Sequence, residues 1–135
     1  MDARDTTLLG LRPQIPSINL SNSVSKEEFF QNSTLRPIAK LQNDLLIIVF
    51  RNYVRKHKSV FYDLGIDDRL HYIENAIQKD TKFRNSLKGI IIGQFTLDEY
   101  ETYIENSSAL NKRMMNIVTE RLKSNIQLLE HEYAY

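Results

Sequence analysis

Arg121 falls in the apolar sector of a helical pattern, in register with Leu110, Met114 and Ile117, and Asn111 and Asn125 flank the same face. Asn43 and Asn52 sit in the same way within a second helical pattern upstream. Burying an unpaired polar group costs on the order of 1–3 kcal/mol, and burying a charge costs more. Residues so placed either bridge helices or line a polar pocket that receives a ligand. In the bridging reading, Arg121 pairs with an acid and the asparagines cap or join helices. Structural networks of that kind are common, so this is the simpler account. Arg84 and Asn85, beside a strip of small residues, carry the same two readings.

The other chemistry-bearing residues read as structural. Asp68, His71 and Glu74 are spaced i, i+3, i+6, loosely like metal ligands on a helix. A metal site in a bundle draws inward-facing acids and histidines from more than one helix, and this spacing occurs in one copy, off the apolar face. No metal and no cofactor is expected. His57 and His131 belong to no such set. Residues 51–58, RNYVRKHK, are basic, but Tyr53 points to the core side, which leaves a solvated helix end and no exposed platform for a base. Gly89-Ile-Ile-Ile-Gly93, with Ser86, has the form of a small-residue helix contact and lacks the strand and turn of a phosphate loop. No G-x-S-x-G, H-E-x-x-H or Walker sequence occurs.

Composition narrows the function classes. A chain of 135 residues is the size of one domain with its own core. Eighteen Lys and Arg against seventeen Asp and Glu give neither the basic excess of a general nucleic-acid binder nor the acidic excess of a solvating tail. The absence of cysteine excludes disulfides and thiolate chemistry and fits a reducing compartment. Early acids with Pro13 and Pro16 do not make a signal peptide, and the apolar run LLIIVF is far short of the roughly 20 residues that cross a bilayer. A cytoplasmic protein with no membrane contact is the expectation.

The elements that must position these residues are helices. Residues 1–24 read as an irregular arm, punctuated by Gly10, Pro13 and Pro16, whose Leu8, Leu9, Leu11, Ile15, Ile18 and Leu20 call for cover by this body or a neighbouring subunit. Ser25-Lys-Glu-Glu28 starts a short helix through Gln31. Ser33 or Thr34 then caps a long helix over residues 34–58, with Pro37 in its first turn. Its polar stripe is Lys40, Asp44, Arg51, Arg55 and Lys58; Leu35, Ile38, Leu41, Leu45, Leu46, Ile48, Val49, Phe50 and Tyr53 cover most of the rest, so it belongs in the middle of a bundle. Asp67 or Asp68 caps the next helix, to about Lys79, with Leu70, Ile73 and Ile77 inward. Asp80 or Thr81 restarts the chain. Thr96 and Glu99 form a capping box for a helix that buries Leu97, Tyr100 and Ile104. Ser107 or Ser108 caps the last helix, to about Glu130.

Two stretches, TLRPIAKLQNDLLIIVF at residues 34–50 and YIENAIQKDTKFRNSLKGIIIGQFTLDEY at residues 72–100, resemble a family of short, uncharacterised bacterial all-helical proteins, some of which carry a glyoxalase label. Metal-dependent glyoxalases use βαβββ units and ligands from His, Glu and Gln. Neither the strands nor such a ligand set is found here, and the resemblance transfers no catalytic residue.

The expected architecture is all-α: four to five main helices in a compact bundle around the long helix, with an N-terminal arm at 1–32 and a helical domain at 33–135. The function expected of it is an interaction or regulatory module, leaning away from an enzyme, with a second copy (a homodimer) or another protein as partner. The alternative is an enzyme or small-molecule binder with a polar inter-helix pocket. An open pocket lined by the Arg121 group favours the alternative; a closed network favours the module.

Overall fold

The computed structural model describes residues 2–15 and 25–130; Pro16, Ile18, Leu20 and His131, named above, lie outside the described residues. Every regular element among the described residues is helical.

Helix α1 spans Ala3–Leu11, in a stretch expected to be irregular. The Asp2 carboxylate accepts from the Asp5 amide at 2.8 Å, which starts the helix, and no proline intervenes before Pro13. Helix α2, Lys26–Phe30, begins as expected at Ser25, whose hydroxyl accepts from the Glu28 amide. It does not stop at Gln31. A π-helical turn, Gln31–Leu35, carries it directly into α3, Arg36–Leu41, so Ser33 and Thr34 lie inside a helix and cap nothing. The 32/33 boundary between arm and domain therefore falls within continuous helix. Pro37 explains the wide turn: its ring would strike the carbonyl four residues back, and the extra residue of a π turn relieves that clash.

The expected long helix is divided at Gln42, after which α4 runs over Asn43–Lys56. The Gln42 side chain donates to the Ile90 carbonyl, tying the bend to a later helix. Lys58 and Ser59, both at positive φ, turn the chain out of α4 and into the 3₁₀ turn Val60–Asp63, which drives Phe61 fully into the core. Helix α5, Ile66–Lys79, is capped at Gly65; Asp67 and Asp68 sit in its first turn, where they complement the helix dipole. Asp80 caps α6, Thr81–Ile92, by accepting from the Phe83 amide at 3.1 Å. The Thr96–Glu99 capping box is formed in both directions and opens α7, Leu97–Glu105. Asn106, and neither Ser107 nor Ser108, occupies the cap of α8, Ser107–Ser124, which ends at Asn125 ahead of the 3₁₀ turn Ile126–Leu129.

Helix α8 packs on α3, α4, α5, α6 and α7, and it buries Leu110, Met114, Met115, Ile117, Val118 and Leu122. The middle of the bundle is thus shared between α8 and α4. Helix α4 buries Leu46, Ile47, Phe50 and Val54, but Leu45 and Ile48 are exposed, so its apolar circumference is wider than the surface that covers it. Phe50 is the hub of an aromatic cluster, with ring centroids 5.4 Å from Phe61, 6.2 Å from Tyr72 and 6.4 Å from Phe83.

The strip of small residues on α6 is not a helix contact. A Cβ added at Gly89 meets nothing within 4 Å, and Ser86 is exposed. Gly89→Ala removes a flexible residue from a helix interior at no steric cost. It should raise stability by about 0.5–1 kcal/mol in urea denaturation.

Candidate functional site

The residues singled out for chemistry divide into separate places. Asn111 accepts from the Tyr103 hydroxyl at 2.5 Å and joins α8 to α7. Arg84 donates to the Ile77 and Gln78 carbonyls, satisfying the end of α5. Asn85 is exposed on α6. Asn52 borders a cleft of about 440 Å³ beside Tyr53, His57 and Lys82. Only Arg121, Asn43 and Asn125 come together. The Asn43 Oδ1 accepts from Asn125 Nδ2 at 3.0 Å and from Arg121 Nη1 at 3.5 Å, and Asn125 Nδ2 also donates to the Arg121 carbonyl at 2.7 Å.

The bridging reading of Arg121 required an acid, and among the described residues no acid pairs with it. A second arginine faces it instead. Arg36, which the sequence reading did not select, borders the same open pocket of about 350 Å³, with Ile117, Glu120 and Ser124. Burial first, and the Arg36 charge second, lower the pKa of the Arg121 guanidinium from its ordinary value.

Near the end of α4, Tyr53 lies between the rings of His57 and Phe83, at 4.1 Å and 4.0 Å. Its hydroxyl donates to Asp80 Oδ2 at 3.1 Å. Burial, then that bond, push the Tyr53 pKa up to about 12, so the phenol stays protonated at neutral pH. Asp80 is held below the ordinary carboxyl range, first by the Phe83 amide that it caps. With both faces of Tyr53 covered and its proton held, the group serves as a brace between α4 and α6. Asp68 and His71 are exposed and Glu74 pairs with Lys123; among the described residues no three His, Cys, Asp or Glu side chains are grouped to hold a metal ion.

The N-terminal helix is held on this same body, and by polar groups. Arg12 makes a bidentate pair with Glu99, 2.6 Å to each oxygen, and donates to the Gln94 carbonyl at 2.8 Å. Arg4 donates to the Gly93 and Phe95 carbonyls. Asp5, only 6% exposed, accepts from the Leu97 amide at the start of α7. Leu8 and Ile15 are half-buried but Leu9 and Leu11 remain exposed, so this body covers only part of the apolar surface for which cover was expected.

These contacts fix the orientation of α7, and its orientation is the largest departure from the sequence reading. Leu97, Tyr100 and Ile104 were expected to be buried, yet they are 58%, 46% and 55% exposed. Glu99 faces Arg12 and Tyr103 faces the core, which turns the opposite side outward. At 100° per residue the three apolar side chains lie within about 60° of one another, forming a stripe. Asp98, Glu101 and Glu105 are exposed next to it, and residues 89–111 contain no Lys or Arg. Asp98 and Thr102 also border a cleft of about 680 Å³ into which Leu9 and Phe29 are exposed. The outward face of α7 is thus apolar and acidic, while Lys26 and Arg12 border the adjoining cleft.

No protein-family model, curated protein or solved structure matches this chain. Among the described residues no helix is long and apolar enough to cross a membrane.

Proposed function

We propose that this chain is a protein-interaction module that receives a basic amphipathic helix on the outward face of α7. The observation that carries the reading is the exposed stripe of Leu97, Tyr100 and Ile104 beside Asp98, Glu101 and Glu105. Apolar side chains left in water forgo about 25 cal/mol per Å² that a partner would recover. Spacing of i, i+3 and i+7 is the pattern by which helices engage each other. The capping box and the Arg12, Arg4 and Asp5 contacts brace α7 in advance, so little ordering is required at the moment of binding. Two copies joined through this face would set acid against acid, which disfavours a symmetric homodimer here and favours a basic partner. The cysteine-free sequence supports a cytoplasmic setting, and the family resemblance, which brings no catalytic residue, is consistent with a binding role.

The test uses a helical peptide of Leu, Ala and Lys with apolar residues at i, i+3 and i+7, and a control with Glu in place of Lys. The lysine peptide should bind, perturb amide resonances along α7 and weaken with added salt; the glutamate control should not bind. Leu97→Ser with Ile104→Ser should raise the Kd at least tenfold without changing the fold, because both side chains already face water. Equal binding of the two peptides, or binding indifferent to the double variant, would overturn the reading.

A further inference from the structure

We infer that the pocket between the start of α3 and the end of α8 is a binding site for a small oxyanion, a phosphate or carboxylate group clasped between Arg36 and Arg121. It is independent of the α7 face. The pocket, about 350 Å³, suits a compact ligand, small-molecule sites running from roughly 300 to 1,000 Å³.

Three observations point to an anion. First, two guanidiniums border one pocket, and among the described residues neither has a carboxylate paired with it. Glu120 reaches the rim, but its side chain is 73% exposed and stands 3.9 Å from Lys123. The carbonyl end of α8 supplies only about half an elementary negative charge. Two full positive charges therefore outweigh the local negative ones, and an oxyanion between them would turn mutual repulsion into attraction.

Second, the donors are largely unspent. The guanidinium carries five N–H groups arranged in a fork that matches a carboxylate or phosphate. Arg36 commits its Nε to Asn32 Oδ1 at 3.0 Å, and among the described residues its two terminal nitrogens have no hydrogen-bond partner. Among the described residues the Arg121 guanidinium makes one long bond, 3.5 Å to Asn43. Ser124 adds a hydroxyl to the same wall.

Third, Arg121 is held from behind. Asn125 spends its amide hydrogens on the Asn43 Oδ1 and the Arg121 carbonyl, so that the Asn43 oxygen is turned toward the guanidinium. Asn43 and Asn125 are thus positioning residues, and the contact with the ligand falls to the arginines.

The experiment titrates the full chain with inorganic phosphate and, separately, with citrate, at constant ionic strength set by chloride. Binding is read by amide resonances of residues 36, 121 and 124 and by thermal denaturation. Saturable shifts confined to the pocket are expected with at least one probe; phosphate alone, or citrate alone, identifies the oxyanion. Arg121→Gln should abolish the saturable component, and Arg36→Gln should weaken it at least fivefold. Arg36 is exposed, so its variant decides the matter even if Arg121→Gln fails to fold. Leu97→Ser with Ile104→Ser should leave the titration unchanged, which separates this site from α7. Titrations that never saturate with either probe, or that are the same in Arg36→Gln as in the original chain, would overturn the inference.

Discussion

Phe50→Ala should destabilise the protein by about 3–5 kcal/mol, the usual cost of emptying a fully buried phenyl site. The side chain is fully buried, and the rings of Phe61, Tyr72 and Phe83 stand around it on three different elements. A collapse that filled the space would have to move α4, the 3₁₀ turn, α5 and α6 together, so the cavity should persist. For a chain of this length the loss corresponds to a melting temperature lower by about 10–18 °C, on the order of 3.5 °C per kcal/mol. Ile48→Ala, two residues away on the same helix, serves as the contrast. Ile48 is exposed, and its variant should stay within about 0.5 kcal/mol of the original. Equal losses at the two positions, measured by thermal and urea denaturation, would show that the described face of α4 is not the buried one.

Arg12→Ala should cost about 2–3 kcal/mol at neutral pH, because it leaves the partly buried Glu99 carboxylate without its counter-charge, with only the Thr96 and Thr34 hydrogen bonds remaining. The loss should depend on pH. Burial alone would raise the Glu99 pKa, but hydrogen bonds from Arg12, the Thr96 amide bond, the Arg12 charge and the Thr34 hydroxyl outweigh it and hold the carboxyl below its ordinary range. A carboxyl whose folded pKa lies below its unfolded value adds stability above the unfolded value and loses it as pH falls through the folded one. In Arg12→Ala burial is no longer offset to the same degree, the pKa rises, and protonation relieves the variant. The gap between the two proteins should therefore be wide at pH 7 and narrow as the pH is lowered toward 4, read from melting curves across that window. Adding Glu99→Gln to Arg12→Ala should recover part of the loss at pH 7, since a neutral amide leaves no unpaired charge. A pH-independent gap would mean that Arg12 acts through packing alone.

The same ion pair explains how far the sequence could be read. Thr96 with Glu99, Asp80 and Ser25 were legible as helix starts because a cap is made within four residues, from a side chain to an amide that the local backbone must present. The core side of α8 was legible from Leu110, Met114, Ile117, Val118 and Leu122, whose helical spacing leaves one consistent face; Met115, buried beside them, did not stand out in the sequence. Helix α7 has only nine residues, and its apolar side chains occupy two sides. Which side faced inward was settled by Arg12, 87 residues away, and by the Tyr103 hydroxyl on Asn111. Arg36 carries no local signal for the same reason: its side chain is exposed on its own helix and becomes part of a site only because the end of α8 is laid beside it.

The sequence by itself determined that this chain is helical, where α2, α6 and α7 start, and the direction of the core face of α8, since hydrogen-bonded caps and apolar periodicity are properties of a few neighbouring residues. Tertiary structure alone decided that α1 is pinned by arginines and an aspartate, that Leu97, Tyr100 and Ile104 face water, and that two arginines share one pocket. Burial and electrostatic environment belong to a position in space, created by segments far apart in the chain, and no local pattern contains them.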